Sequence, residues 1–210
     1  MLKTDFGGGE HLSLRRTSSG KLLTANYGMN KLNAENFFLQ RSVVLVGMMG
    51  AGKTSVGRAV AESLSVPFFD ADVEIEAAAG CSVASIFADY GEAEFRRLER
   101  QVIARLLNGE PCVLSLGGGA FMDAETRGRI KESGLSVWLK VDHALLLARV
   151  LRHGDRPLLK EGDPREKMER LLSEREPVYA QADLTVLCDD RPVAQTARRV
   201  REAIEKKPLP

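Results

Sequence analysis

The first residues along the chain whose types and spacing could do chemistry are Gly47, Gly50, Gly52, Lys53 and Thr54. The stretch from 47 to 54 reads GMMGAGKT and fits GxxxxGK[ST] without exception. Glycines let backbone N–H groups curl around phosphate oxygens without a side-chain clash, and a helix opening at Lys53 adds a dipole that favours an anion. Lys53 is placed to neutralise the outer phosphates of a nucleotide triphosphate. The Thr54 hydroxyl is placed to coordinate Mg²⁺, which binds through few protein oxygens and keeps several waters. The motif implies a nucleotide triphosphate but does not identify what receives the phosphate. Asn30-Lys31-Leu32-Asn33 is the nearest approach to a guanine-reading Asn-Lys-x-Asp. It lacks the aspartate and precedes the loop, so a GTPase switch is rejected.

Further along stand residues suited to an acceptor. Asp70 and Asp72 flank Ala71 at the end of a short apolar run. Asp70 suits support of Mg²⁺ through water, and Asp72 suits a hydrogen bond to an acceptor hydroxyl whose proton it could take. A plainer reading is that Asp72 only caps the helix beginning at Val73. Arg96, inside GEAEFRRLE (91–99), could grip a carboxylate bidentately, with Glu99 three residues on to orient it. Arginines among acids on a helix more commonly form a solvated, ion-paired face. Gly117, Gly118 and Gly119 could offer backbone N–H groups to a ligand, or simply form a tight turn. Arg156 lies in a polar, Gly- and Pro-rich segment over about 152–164 that has the composition of a lid. An arginine delivered by a closing loop can stabilise charge on a transferring phosphoryl group. Arg175 is either a second carboxylate clamp or a surface ion pair. No aspartate stands at Ser115 or Gly117, where many P-loop proteins place one for the metal, and Asp70 fits that vacancy from the neighbouring strand.

These residues need a scaffold, and the hydropathy pattern supplies one. Short apolar runs suited to buried parallel strands occur at 42–47, 67–70, 112–116, 136–141 and 184–188. Helical periodicity fills the intervals: 53 to about 65, successive helices from 72 to about 108 punctuated by Gly80 and Gly91, and a last helix from about 192 to 206. Strands alternating with helices predict an α/β fold with a parallel sheet.

Composition narrows the class. A chain of 210 residues with 44% hydrophobic and 28% charged residues has the balance of one soluble globular domain, not of a disordered chain. A formal net charge of +1 gives no argument for nucleic acid or an acidic membrane surface. No stretch approaches the roughly 20 continuous apolar residues of a membrane span. Cys81, Cys112 and Cys188 match no metal or disulfide spacing and read as free thiols in a reducing cytosol. Residues 1–40 carry Gly7-Gly8-Gly9 and no sustained periodicity, so they read as a flexible extension before a domain over 41–207. Met29 is an alternative start, and the acids Asp5 and Glu10 argue against an organelle-targeting segment.

Taken in order, GMMGAGKTS, FFDAD, GEAEFRRLE, SLGGGA, RPLL and REPVY resemble the shikimate kinases over about 42–206. The resemblance implies a three-layer α/β P-loop kinase related to nucleoside monophosphate kinases. Its five parallel strands would run in the order 2-3-1-4-5, with a helical substrate-binding segment over about 70–107 and a mobile lid. It implies transfer of the ATP γ-phosphate to the 3-hydroxyl of shikimate, in aromatic amino-acid biosynthesis. ATP binding then falls to Gly50, Ala51, Gly52, Lys53, Thr54, Ser55, Arg152 and Arg156, and Mg²⁺ to Thr54 and Asp70. Shikimate binding falls to Asp72, Arg96, Gly118 and Arg175, and catalysis to Lys53, Asp72 and Arg156. Arg152 and the loop near Asp190-Arg191 are the matches for adenine contacts. The expected partners are ATP and shikimate, with no nucleic acid and no membrane, and the expected state is a cytoplasmic monomer. Two other readings compete. A gluconate kinase would share the P-loop and lid but not the combination of Asp72, Phe95-Arg96 and the triple glycine. A nucleotide-binding module that had lost catalysis would not need Lys53, Thr54, Asp70, Asp72 and Arg156 together.

Overall fold

The computed structural model describes residues 40–152 and 163–207. The expected extension therefore lies outside the described residues apart from Gln40. So does most of the expected lid, Arg156 included.

Strand β1, Ser42–Val46, is buried along its whole length. A strand shielded on both faces needs a continuous apolar run, and Val43-Val44-Leu45-Val46 provides it. It pairs in parallel with β3 (Val113–Ser115) on one side and β4 (Gly134–Val141) on the other. β2 (Phe68–Asp70) adds outside β3, and β5 (Leu184–Cys188) outside β4. The resulting parallel sheet has the order β2-β3-β1-β4-β5 that the family resemblance implied. Its register sets Asp70 beside Ser115 and Ser115 beside Leu45, so three neighbouring strands end together. In such sheets the crevice past the carboxyl ends of the strands is where ligands bind.

Among the described residues, seven α-helices connect and cover the strands: α1 (Lys53–Leu64), α2 (Ala71–Ala79), α3 (Val83–Leu107), α4 (Ala124–Ser133), α5 (His143–Arg152), α6 (Pro164–Tyr179) and α7 (Val193–Lys206). α1 packs with α7, α3 with α4, and α5 with α6. The main core joins β1, β3 and β4 to α1 and α7 through Val60, Leu114, Leu139 and Val200, among others. A smaller core of Ile75, Ile86, Phe95 and Val102 binds α2 to α3, and it fixes the helix that carries Arg96.

Several boundaries differ from the sequence expectation for identifiable reasons. β4 starts at Gly134, two residues early, because Gly134 pairs with Ser42. β2 starts after Pro67, which has no N–H to give, although the Pro67 carbonyl accepts from the Val113 N–H at 2.9 Å. α3 runs through Gly91, where one residue at φ 80° and ψ 174° breaks the helical path. The segment expected as lid over 152–164 has helical ends: Arg152 closes α5, and Asp163 caps an α6 that begins at Pro164. Cys81, Cys112 and Cys188 are free thiols, the last two buried. No helix among the described residues is long and apolar enough to cross a membrane.

Candidate active site

The phosphate loop lies between β1 and α1. Gly50 and Gly52 hold φ values of 81° and 86°, in the left-handed region that side chains resist, and Lys53 opens α1 immediately afterwards. No side chain caps that helix start. Its first N–H groups, which have no carbonyl within the helix, are left to face an anion. The Lys53 ammonium arches over the loop and donates to the Gly47 carbonyl at 2.9 Å and the Met48 carbonyl at 3.0 Å.

At the end of β2, one carboxylate serves two neighbours. The Thr54 hydroxyl donates to Asp70 Oδ2 at 2.7 Å, and Asp70 Oδ1 accepts from the Asp72 N–H at 3.2 Å. Asp70 is thus the N-cap of α2. The expectation that Asp72 might cap this helix is corrected: α2 starts at Ala71, so Asp72 sits inside its first turn and its side chain is released toward the cleft. The Thr54 and Asp70 oxygens form a hard, oxygen-only pair, and no cluster of three metal-binding side chains occurs among the described residues. That donor set fits Mg²⁺, which takes one or two protein oxygens and completes its shell with phosphate and water.

Asp72 is exposed to water in the cleft, with its carboxylate beside Asp70 and against the glycine turn. Desolvation and the charge of Asp70 push its pKa up, more than Lys53 and Arg96 pull it down. Across from it, Arg96 Nη1 donates to Glu99 Oε2 at 2.7 Å, and Arg96 Nη2 donates to Glu92 at 3.2 Å. Glu99 is buried, and burial raises its pKa despite the Arg96 partner. Its other oxygen, Oε1, has no hydrogen-bond partner. Arg97, the next residue, pairs with Glu94 on the exposed face. Of the two adjacent arginines, only Arg96 turns inward.

The three glycines after β3 are where these groups meet. A β-carbon on Gly117 would stand 2.9 Å from Asp72 Oδ1 and 3.3 Å from Glu99 Oε1. One on Gly118 would stand 3.3 Å from Arg175 Nη1, and one on Gly119 only 2.6 Å from Arg96 Nη2. The turn is therefore glycine because the chemical groups lie against it.

A cleft of about 560 Å³ runs over the strand ends. It brings together Gly50, Ala51, Gly52, Lys53, Thr54, Ser55, Asp70, Asp72, Gly118 and Arg152. Arg96 and Arg175 stand behind its glycine wall, and Arg156 is outside the described residues. The far wall adds residues that sequence reasoning passed over. Arg149, three residues before Arg152 on α5, lines the cleft and donates to the Asp189 carbonyl at 2.8 Å. Asp189 and Arg191 line it too, the latter as expected of that loop. The only sequence signal for Arg149 was its i, i+3 relation to Arg152.

The comparisons with known proteins agree with this geometry. The family model for shikimate kinase matches residues 49–205. A shikimate kinase of Cereibacter sphaeroides is 56% identical over 170 residues, covering 81% of this chain and 85% of the relative. Among solved structures, the shikimate kinase of Acinetobacter baumannii in complex with shikimate superposes with a TM-score of 0.77. It is 37% identical, over 80% of this chain and 95% of its own. A gluconokinase of Sinorhizobium meliloti, 22% identical with a TM-score of 0.55 over 80% of this chain and 96% of its own, shares the fold alone.

Proposed function

The chain belongs to the shikimate kinase family, and from that premise we propose how its own residues divide the reaction. The reaction transfers the γ-phosphoryl group of ATP to the 3-hydroxyl of shikimate, giving ADP and shikimate 3-phosphate. The observation that carries the division of roles is the convergence of Asp72, the Arg96–Glu99 pair and Arg175 on one glycine turn, across a cleft from the phosphate loop.

Gly50, Ala51, Gly52 and Ser55 wrap the phosphates with backbone N–H groups, and Lys53 offsets their charge. Thr54 and Asp70 would hold Mg²⁺, which would supply further neutralisation of the phosphate charge. Asp72 accepts a hydrogen bond from the 3-hydroxyl and takes its proton as the phosphoryl group arrives; its raised pKa improves it as a base over an ordinary aspartate. Arg96, held by Glu99, and Arg175 grip the shikimate carboxylate, and the Gly118 N–H reads a ring hydroxyl. Arg156, outside the described residues, is assigned to stabilise the transferring charge, and Arg152 to contact the nucleotide. Little covalent work is left for the protein, since phosphoryl transfer is accelerated mainly by positioning and charge. The kinase domain spans 41–207, behind an extension over 1–40, and acts as a cytoplasmic monomer.

The test is ADP release from Mg-ATP with shikimate, with gluconate, and with neither. A rate that depends on shikimate and is absent with gluconate is the expected result. ATP binding without stimulation by shikimate would leave the phosphate loop assignment standing and overturn the acceptor assignment.

A further inference from the structure

We propose that Tyr179 is a positioning residue for the acceptor site: its hydroxyl fixes the Gly118 peptide, the surface against which Arg175 lies, and so registers the carboxylate clamp against the glycine turn. The inference rests on the acceptor reading given above.

Tyr179 ends α6 with 1% of its surface exposed. Its ring lies 6.5 Å from Phe121 and 6.0 Å from Trp138, centre to centre. From that packed position the hydroxyl donates to the Gly118 carbonyl at 2.5 Å. Arg175 sits one turn earlier on the same helix, four residues back, and its positive charge lies near the phenol. Arg175 Nη1 also approaches Gly118 itself, 3.3 Å from where its β-carbon would be. Arginine, phenol and glycine peptide therefore meet at one point.

Three glycines in succession have more backbone freedom than any other tripeptide, and no side chains of their own to anchor them. The Gly117 and Gly119 carbonyls accept from the Ala120 and Met122 N–H groups at 3.1 and 3.0 Å, and the Tyr179 bond anchors the Gly118 carbonyl between them. Because the peptide unit is planar, fixing the Gly118 carbonyl also fixes the Gly119 N–H on its opposite side. Gly119 in turn packs against the Arg96 guanidinium. Both arginines of the clamp thus take their position from one peptide, and Tyr179 holds that peptide. Burial pushes the Tyr179 pKa up to about 12, so the group remains a donor across any working pH.

Tyr179→Phe removes the hydroxyl and keeps the ring between Phe121 and Trp138. The expected result is a rise of about tenfold in the KM for shikimate with the KM for ATP unchanged, as for loss of one buried hydrogen bond at a binding surface. In a double-mutant cycle with Arg175→Ala, the two losses should be less than additive, because both remove one linked contact. An unchanged KM for shikimate in Tyr179→Phe overturns the inference. So does an equal rise in both KM values with a lowered Tm, which would mark the hydroxyl as a support of the fold alone. The unsubstituted enzyme runs alongside. If shikimate fails to stimulate it, the acceptor reading falls and takes this inference with it. If it is stimulated and the variant matches it, only the inference falls.

Discussion

Gly119→Ala is a one-carbon perturbation whose consequence can be worked out from the geometry. Gly119 has φ −96° and ψ −20°, a conformation that alanine adopts without strain. The added methyl would nevertheless stand 2.6 Å from Arg96 Nη2, 2.9 Å from Nη1 and 3.1 Å from Cζ. Ordinary contact begins at 3.4 Å, so the guanidinium has to retreat by about 0.8 Å. A flexible side chain can move that far at little cost to stability. Here, however, the flexible side chain is the proposed carboxylate clamp, already tied to Glu99 at 2.7 Å. The cost should therefore appear in substrate binding and not in folding. Losing one charged hydrogen bond costs about 1.5–3 kcal/mol, or roughly a 10- to 100-fold rise in the KM for shikimate. Steady-state kinetics with each substrate varied in turn, together with a thermal melt, would measure both. The expected outcome is a raised KM for shikimate, an unchanged KM for ATP and a Tm within about 3 °C of the parent. A parental KM for shikimate would refute the reasoning, showing either that Arg96 does not bind the acceptor or that the turn yields instead of the arginine.

Two further outcomes follow from the same distances and contacts. In Gly117→Ala the new methyl would press on Asp72 Oδ1 at 2.9 Å, so kcat should fall more than the KM for shikimate rises, the reverse of Gly119→Ala in the same assay. Away from the site, Asp183 Oδ2 accepts from the Ser136 N–H at 2.9 Å and hydroxyl at 2.6 Å, pinning the start of β5 to β4. Partial burial raises the Asp183 pKa, but those bonds and Lys207 outweigh it and hold the carboxylate below its ordinary value. A depressed folded-state pKa means that the stabilisation is complete above the unfolded value near 3.8 and is lost as pH falls through the folded one. Asp183→Asn should therefore cost about 1–2 kcal/mol at pH 7 in urea unfolding, with the gap closing toward pH 3; an equal gap at both values would rule out the charge as the cause.

What the sequence disclosed depended on how far apart the cooperating residues lie. The phosphate loop was legible because all its parts fit within eight residues between a strand and a helix. The Arg96–Glu99 pair was legible because i, i+3 spacing puts both on one helical face. β1 was legible from four consecutive apolar residues. The division of labour between Asp70 and Asp72 was harder. Either could cap the helix, and only the start of α2 at Ala71 gives the cap to Asp70 and leaves Asp72 to the cleft. Arg149 was passed over because an arginine near a helix end reads as solvated until Asp189, 40 residues away, is brought beside it. Tyr179 was hidden for a similar reason. A tyrosine at a helix end reads as core, and nothing local reveals that its hydroxyl meets Gly118.

That hydroxyl–carbonyl bond spans 61 positions of the chain, and this separation bears on synthesis. Chains leave the ribosome N-terminus first and fold in that order as segments become available. The phosphate loop at 47–54, Asp72, Arg96 and the glycine turn have all been made well before α6. A nascent or prematurely terminated chain that stops short of Arg175 has the phosphate loop but lacks both Tyr179 and, on the proposed roles, one arm of the clamp. On the proposed roles, shikimate recognition therefore waits for α6, long after the phosphate loop has been made.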